Sequence, residues 1–314
     1  MSESSTASVP RGTLLWPLAI GSLLLGFAQT ITWRVLSVTG WTDGTAKWDY
    51  LRAAVEVLGW LLVALAAWQV ARSQRYVAQP WGDAHGLSVV AIGIAITAFV
   101  GLIRLGEGVV GTLGPFSGEG LVVRDLFKAD AGIIAVSFTL SAFGARAALR
   151  ASLRADGIEL RWARPWRMAL AGVAVIALGS LIEFGASLVV TNGSWNRLVY
   201  AYLALVALGW LVVGLAAESF RRVATGNQWT TRSVAFHLGA FAAFLFAVQS
   251  VVSVVTLHEG SFGLPSSLLY RWLDVFTLVG WLCVTLGAFA ARESAASDQH
   301  SSTERLLGTP IPRG

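Results

Sequence analysis

The chain has 314 residues, 55% of them hydrophobic and only 13% charged, against about 25% charged in an ordinary soluble domain. Together with a mean hydropathy of +0.65, this excludes a disordered chain, a soluble nucleic-acid-binding domain and a secreted disulfide scaffold; Cys283, the only cysteine, rules out an internal disulfide or a cysteine metal cluster. The net charge of +5 comes from 23 Lys+Arg against 18 Asp+Glu, and its meaning depends on where those residues fall relative to a bilayer.

A bilayer core about 30 Å thick needs about 20 mainly apolar residues in a helix. Eight stretches qualify: Thr13–Val38, Trp48–Ala71, Gly86–Val109, Ala129–Leu149, Trp166–Val190, Leu198–Phe220, Ser233–Leu257 and Leu268–Ala291. The expected fold is all-α, a polytopic membrane protein of eight transmembrane helices. The runs are too long for barrel strands. Residues 1–12 are expected to be a disordered N-terminus. The first span reads as retained, since its apolar run exceeds that of a signal peptide and no small-residue cleavage site follows. Residues 151–165 form an Arg-rich linker, in which Asp156-Gly157 between two short alternating runs signals a hairpin. Residues 294–314 are expected to be a disordered tail.

The basic residues fix an orientation. Arg11, Arg72, Arg75, Arg146, Arg150, Arg154, Arg161, Arg164, Arg167, Arg221, Arg222, Arg232, Arg292, Arg305 and Arg313 fall on one side of the spans. Arg34, Lys47, Arg52, Arg124, Lys128, Arg197 and Arg271 fall on the other, with Arg104 inside a span. The positive-inside rule then places both termini in the cytoplasm. The basic charge marks topology and contact with anionic lipid, not nucleic acid. A Lys-poor, Arg- and Ala-rich chain fits a bacterial-type inner membrane. Most tryptophans near span ends, such as Trp16, Trp48, Trp166, Trp229 and Trp272, fit interfacial belts.

The halves of the chain resemble each other. Leu58-Gly59-Trp60-Leu61 in the second span returns as Leu208-Gly209-Trp210-Leu211 in the sixth, and Gly280-Trp281-Leu282 stands in the eighth. Thr139-Leu140 through Arg146 in the fourth parallels Thr285-Leu286 through Arg292 in the eighth. The pattern reads as a duplicated four-helix unit, residues 13–150 and 166–293. Four spans is an even number, so the repeats are parallel, not inverted.

Polar residues inside spans are costly and are functional candidates by default. Gln29, Arg104, Glu183 and Gln249 stand at similar places in the odd-numbered spans, about two-thirds of the way outward. Arg52 and Glu56 open the second span, and Glu107 shares a helix face with Arg104. These seven would line an outward-facing cavity between the repeats, with Arg104 holding an anionic group and Glu183 serving as a proton or cation site. The competing expectation is that Arg104 pairs with Glu183 or Glu107 as structural glue.

Catalytic chemistry is not evident. His85 and His237 near the inner boundary are poorly placed for haem, and no His-x-x-x-His or Glu-x-x-His metal pattern occurs in a span. No cofactor or metal is expected. Gly185-Ala186-Ser187 with His237 resembles the motifs of rhomboid intramembrane proteases, but at helical rise the two side chains should differ in depth by more than about 15 Å. The leading expectation is therefore a protein that binds or transports a small polar or anionic solute. The alternative is a non-catalytic membrane subunit or scaffold that meets other membrane proteins, and an intramembrane enzyme comes third.

Overall fold

The computed structural model describes residues 15–28, 45–76, 84–112, 119–154, 161–189, 195–226, 228–256 and 266–307. Among them the chain forms eight helices and no strand: α1 Trp16–Gly26, α2 Thr45–Tyr76, α3 Ala84–Thr112, α4 Glu119–Arg154, α5 Ala163–Val189, α6 Trp195–Thr225, α7 Thr231–Thr256 and α8 Ser266–Leu307. Seven are long and apolar enough to cross a membrane; α1 is apolar but shorter, at 11 residues. The protein is an all-helical, multi-pass membrane protein. A helix suits such segments because each backbone N–H and C=O is satisfied within its own segment, where no water can reach it.

Each expected span lies on one of these helices. The first was expected to reach Val38, and its residues from 29 onward lie outside the described part, as do residues 1–12 and the Asp156-Gly157 hairpin. Several helices outrun their apolar stretches. α4 continues to Arg154, into the linker, and α8 continues to Leu307, into the tail expected to be disordered. Nothing between Ser294 and Leu307 breaks a helix, because the next glycine and proline are Gly308 and Pro310.

Each helix packs on its neighbours in the chain, and α8 packs back on α1, so the eight close into a ring. Neighbours run antiparallel: on α3 and α4, Gly86 meets Gly144 while Gly93 meets Ser137. Buried positions are mostly small, among them Ala19, Ala53, Ala91, Ala135, Ala177 and Ala242. Large apolar side chains such as Leu58, Phe99, Phe143, Leu215 and Leu286 are exposed, as a lipid-facing surface requires. Two interfaces depend on glycine outright. A Cβ on Gly21 of α1 would lie 2.7 Å from the carbonyl oxygen of Gly59 on α2, and one on Gly172 of α5 would lie 2.9 Å from that of Gly209 on α6.

Buried hydroxyls join helices where no large side chain fits. Ser22 on α1 and Thr285 on α8 hydrogen-bond at 2.9 Å across the ring closure. Thr97 on α3 meets Ser137 on α4 at 2.8 Å, and the Ser137 hydroxyl donates to the Gly93 carbonyl at 2.6 Å. Interhelical hydrogen bonds in membranes contribute about 0.6 kcal/mol on average. A double-mutant cycle with Ser22→Ala and Thr285→Val, followed by unfolding in mixed micelles, is expected to return a coupling of about that size. Zero coupling would show that the closure rests on packing alone.

Aromatic rings cross the inside of the ring. Trp60 on α2 meets Trp281 on α8 at 5.6 Å between centroids, although α1 separates those helices in the ring. Trp281 meets Phe246 on α7 at 5.4 Å, Phe246 meets Trp210 on α6 at 5.2 Å, and Trp210 meets Phe138 on α4 at 6.4 Å, passing α5. Gly280 leaves room for the Phe246 ring, which a Cβ there would approach to 2.8 Å. The outer faces of α1 and α5 carry exposed Leu23, Phe27, Leu178 and Leu181, so the aromatic contacts lie on their inner faces. The Trp60, Trp210 and Trp281 of the repeated Gly-Trp pairs thus all join one interior aromatic band.

Candidate functional site

Two glycines bring three polar side chains together. Gly132 on α4 has no side chain where the Phe184 ring of α5 packs, since a Cβ would sit 3.0 Å from it. Gly179 on α5 likewise admits the backbone of Tyr202 on α6, 3.2 Å from where its Cβ would stand. The start of α4, the last turns of α5 and the first turns of α6 therefore meet at the end of the ring away from the Arg-rich helix ends. Asp130, Glu183 and Tyr202 lie there. The Tyr202 hydroxyl hydrogen-bonds the Glu183 carboxyl, and Asp130 is close enough to act electrostatically on both. All three are partly buried. Among the described residues, the groups acting on Glu183 are thus the Tyr202 phenol and Asp130.

The expected pairing of Glu183 with Arg104 involves a side chain outside the described part. α3, which carries Arg104, packs on α2 and α4, whereas Glu183 on α5 faces α4 and α6. The side chains of Arg104 and Glu107 lie outside the described part, as does Gln29. The α3 backbone near Arg104 runs beside α2, because Gly101 packs against Ala53 and Val57. On α2, Glu56 is buried, only 2% exposed, and stands one turn from Trp60 toward the same end of the ring. Arg52 is partly buried one turn further on, with its Nε unbonded. Gln249 is partly buried on α7, three residues beyond Phe246. Of the seven expected residues, Arg52, Glu56, Glu183 and Gln249 therefore have described side chains between the aromatic band and the far end of the ring.

Tyr202 and Asp130 were not among the expected site residues. Tyr202 reads as apolar within Val199-Tyr200-Ala201-Tyr202, whereas Asp130, with Lys128, opens the fourth span and belongs to the outer polar layer without being assigned to the cavity. The repeat held a signal for the first: the register that aligns Trp60 with Trp210 aligns Arg52 with Tyr202. Gly21 and Gly172, which make equivalent contacts, would likewise align Gln29 with Ser180 instead of Glu183.

A second polar group sits at the Arg-rich end. The Glu218 carboxylate on α6 accepts hydrogen bonds from Arg221 Nε and Nη2 at 2.9 and 2.8 Å and from Arg222 Nε at 3.2 Å. His237 Nδ1 on α7 lies 3.4 Å from it. The Trp229 ring stacks on the His237 imidazole with centroids 5.0 Å apart. Here α6 ends at Gly226, whose φ of 60° only glycine adopts at little cost, and whose N–H donates to the Arg222 carbonyl. Thr230 caps α7, its hydroxyl oxygen accepting from the Ser233 N–H at 3.2 Å.

His237 is thus committed to Glu218 and Trp229, and the Ser187 hydroxyl donates to the Phe184 carbonyl at 2.6 Å. Among the described residues no three His, Cys, Asp or Glu side chains come together in a metal-binding group. No protein-family model, curated protein or solved structure matches the chain.

Proposed function

We propose that the protein binds and moves a small polar solute, anionic solutes included, through the inside of its helix ring, with Glu183, Tyr202 and Asp130 as a proton or cation site. The observation that carries this reading is the Glu183–Tyr202 hydrogen bond beside a second carboxylate, within a membrane span. Two acids in low dielectric are costly unless a proton or a cation joins them, and such groups mark ion and substrate paths. Arg52 and Arg104 supply positive charge for an anionic group, and Glu56 and Gln249 complete the polar layer. The aromatic band from Trp60 to Phe138 forms the floor that separates this layer from the Arg-rich end.

The orientation follows from the positive-inside rule: both termini in the cytoplasm of a bacterial-type inner membrane, with the polar layer opening outward. A duplicated four-helix unit with parallel repeats accounts for the matching Gly21–Gly59 and Gly172–Gly209 contacts and for the paired Trp60 and Trp210. It also places the solute path on the axis between the halves.

A second reading, an integral subunit or scaffold of a larger membrane complex, is favoured by the glycine and hydroxyl contacts that lock the ring. The two readings part at purification. Mass spectrometry of small molecules released from the detergent-purified chain is expected to find a polar solute in the wild type that is lost in Glu183→Gln. A stoichiometric protein subunit, with no such solute, would overturn transport in favour of the scaffold.

A further inference from the structure

We infer that the turn joining α6 to α7 is a binding site for the headgroup of an anionic glycerophospholipid. Trp229 is 80% exposed, more than any other large apolar side chain described. Its indole is nevertheless held in place: it stacks on His237, and Gly226 and Thr230 fix the turn on either side. The turn lies where the Leu198–Thr225 and Thr231–Val254 spans end, which is headgroup depth.

Charge points the same way. Arg221 and Arg222 precede the turn and Arg232 follows it, with Glu218 on the last turns of α6. Arg221 is spent internally: it forks onto Glu218, and its Nη1 donates to the Gly226 carbonyl at 3.3 Å. Arg222 gives Glu218 only its Nε, and its side chain is 70% exposed. The outward guanidinium edge of Arg222 and the exposed indole of Trp229, linked through Glu218 and His237, suit one ligand with a phosphate and a glycerol–acyl shoulder. A free phosphate would satisfy the arginine and leave the indole in water, so the lipid fits better. The site is separate from the Glu183 layer and does not depend on the transport reading.

The test uses the full chain in phosphatidylcholine vesicles carrying a small fraction of brominated phosphatidylglycerol or, separately, brominated phosphatidylcholine. Subtracting the emission of Trp229→Phe isolates Trp229 from the other tryptophans. Expected is about fivefold stronger quenching by the anionic lipid than by the zwitterionic one, the enrichment that one surface arginine provides. Arg222→Gln should erase that preference while leaving the unfolding midpoint in place, since Arg221 still holds Glu218. Equal quenching by the two lipids would overturn the inference and leave Trp229 an ordinary interfacial tryptophan. Quenching by aqueous acrylamide but by neither lipid would also overturn it, as would loss of the preference in millimolar inorganic phosphate, which would identify a free-anion site.

Discussion

Gly209→Ala is expected to lower the stability of the detergent-solubilised chain by about 1–3 kcal/mol, the usual cost of overpacking a tight interface. The added Cβ would run into Ile176 Cγ1 and stand 2.8 Å from the Gly172 carbonyl oxygen. The second atom is backbone, so no rotamer change relieves it. α5 and α6 would have to separate, and with them Glu183 and Tyr202. Gly239→Ala on α7 is the control, because nothing lies within 4 Å of its Cβ position. There the gain in helix propensity should leave stability unchanged or slightly raised. Thermal unfolding midpoints of the two variants and the parent decide the matter. Equal midpoints for Gly209→Ala and Gly239→Ala would show that the close approach of α5 and α6 is not needed.

If Glu183 holds a proton or cation as proposed, Glu183→Gln is expected to abolish the cation- or acid-dependent rise of the unfolding midpoint. A ligand at one hundred times its Kd stabilises a protein by about 2.7 kcal/mol. The wild-type midpoint should therefore climb with the concentration of one cation, or with acid, and the Glu183→Gln midpoint should stay flat. Tyr202→Phe removes one hydrogen bond to the site and keeps the carboxylates. At about 1 kcal/mol, it should shift the concentration dependence by about fivefold without flattening it. Asp130→Asn belongs with Glu183→Gln if the two acids share the cation, and with Tyr202→Phe if Glu183 holds it alone. A screen of sodium, potassium, ammonium and acid in which the wild type and Glu183→Gln respond alike would dismiss the site.

The spans were legible because a bilayer imposes one rule on every residue in them, so hydropathy alone located eight helices to within a few residues at most ends. The ends themselves were less so. Hydropathy stops at Leu149 and Ala291, whereas helix continues to Arg154 and Leu307 until a breaker arrives. Glu183 was legible as a lone acid in an apolar run. Asp130 was legible as part of the same polar layer, but Tyr202 was not, because it scores as apolar and nothing local says that α5 faces α6 and α4. Trp60, Trp210 and Trp281 were visible as a repeated motif. Their meeting inside the ring depends on which helices flank which, a fact held in the glycine contacts and not in any one span.

The order of helices around the ring has a consequence for how the chain is made. Seven of its eight interfaces join helices that leave the ribosome one after the other, so each can dock as soon as it enters the bilayer. The eighth, between α1 and α8, waits for nearly the whole chain. Until α8 arrives, the Ser22 hydroxyl on α1 has only its own helix carbonyls, Leu18 and Ala19, to bond. Trp60 also lacks Trp281 until then, so the aromatic band completes with the final insertion event. Closure of the ring and completion of synthesis are one step, and a chain halted before α8 would leave the α1 and α7 faces that α8 covers open to lipid and to membrane quality control.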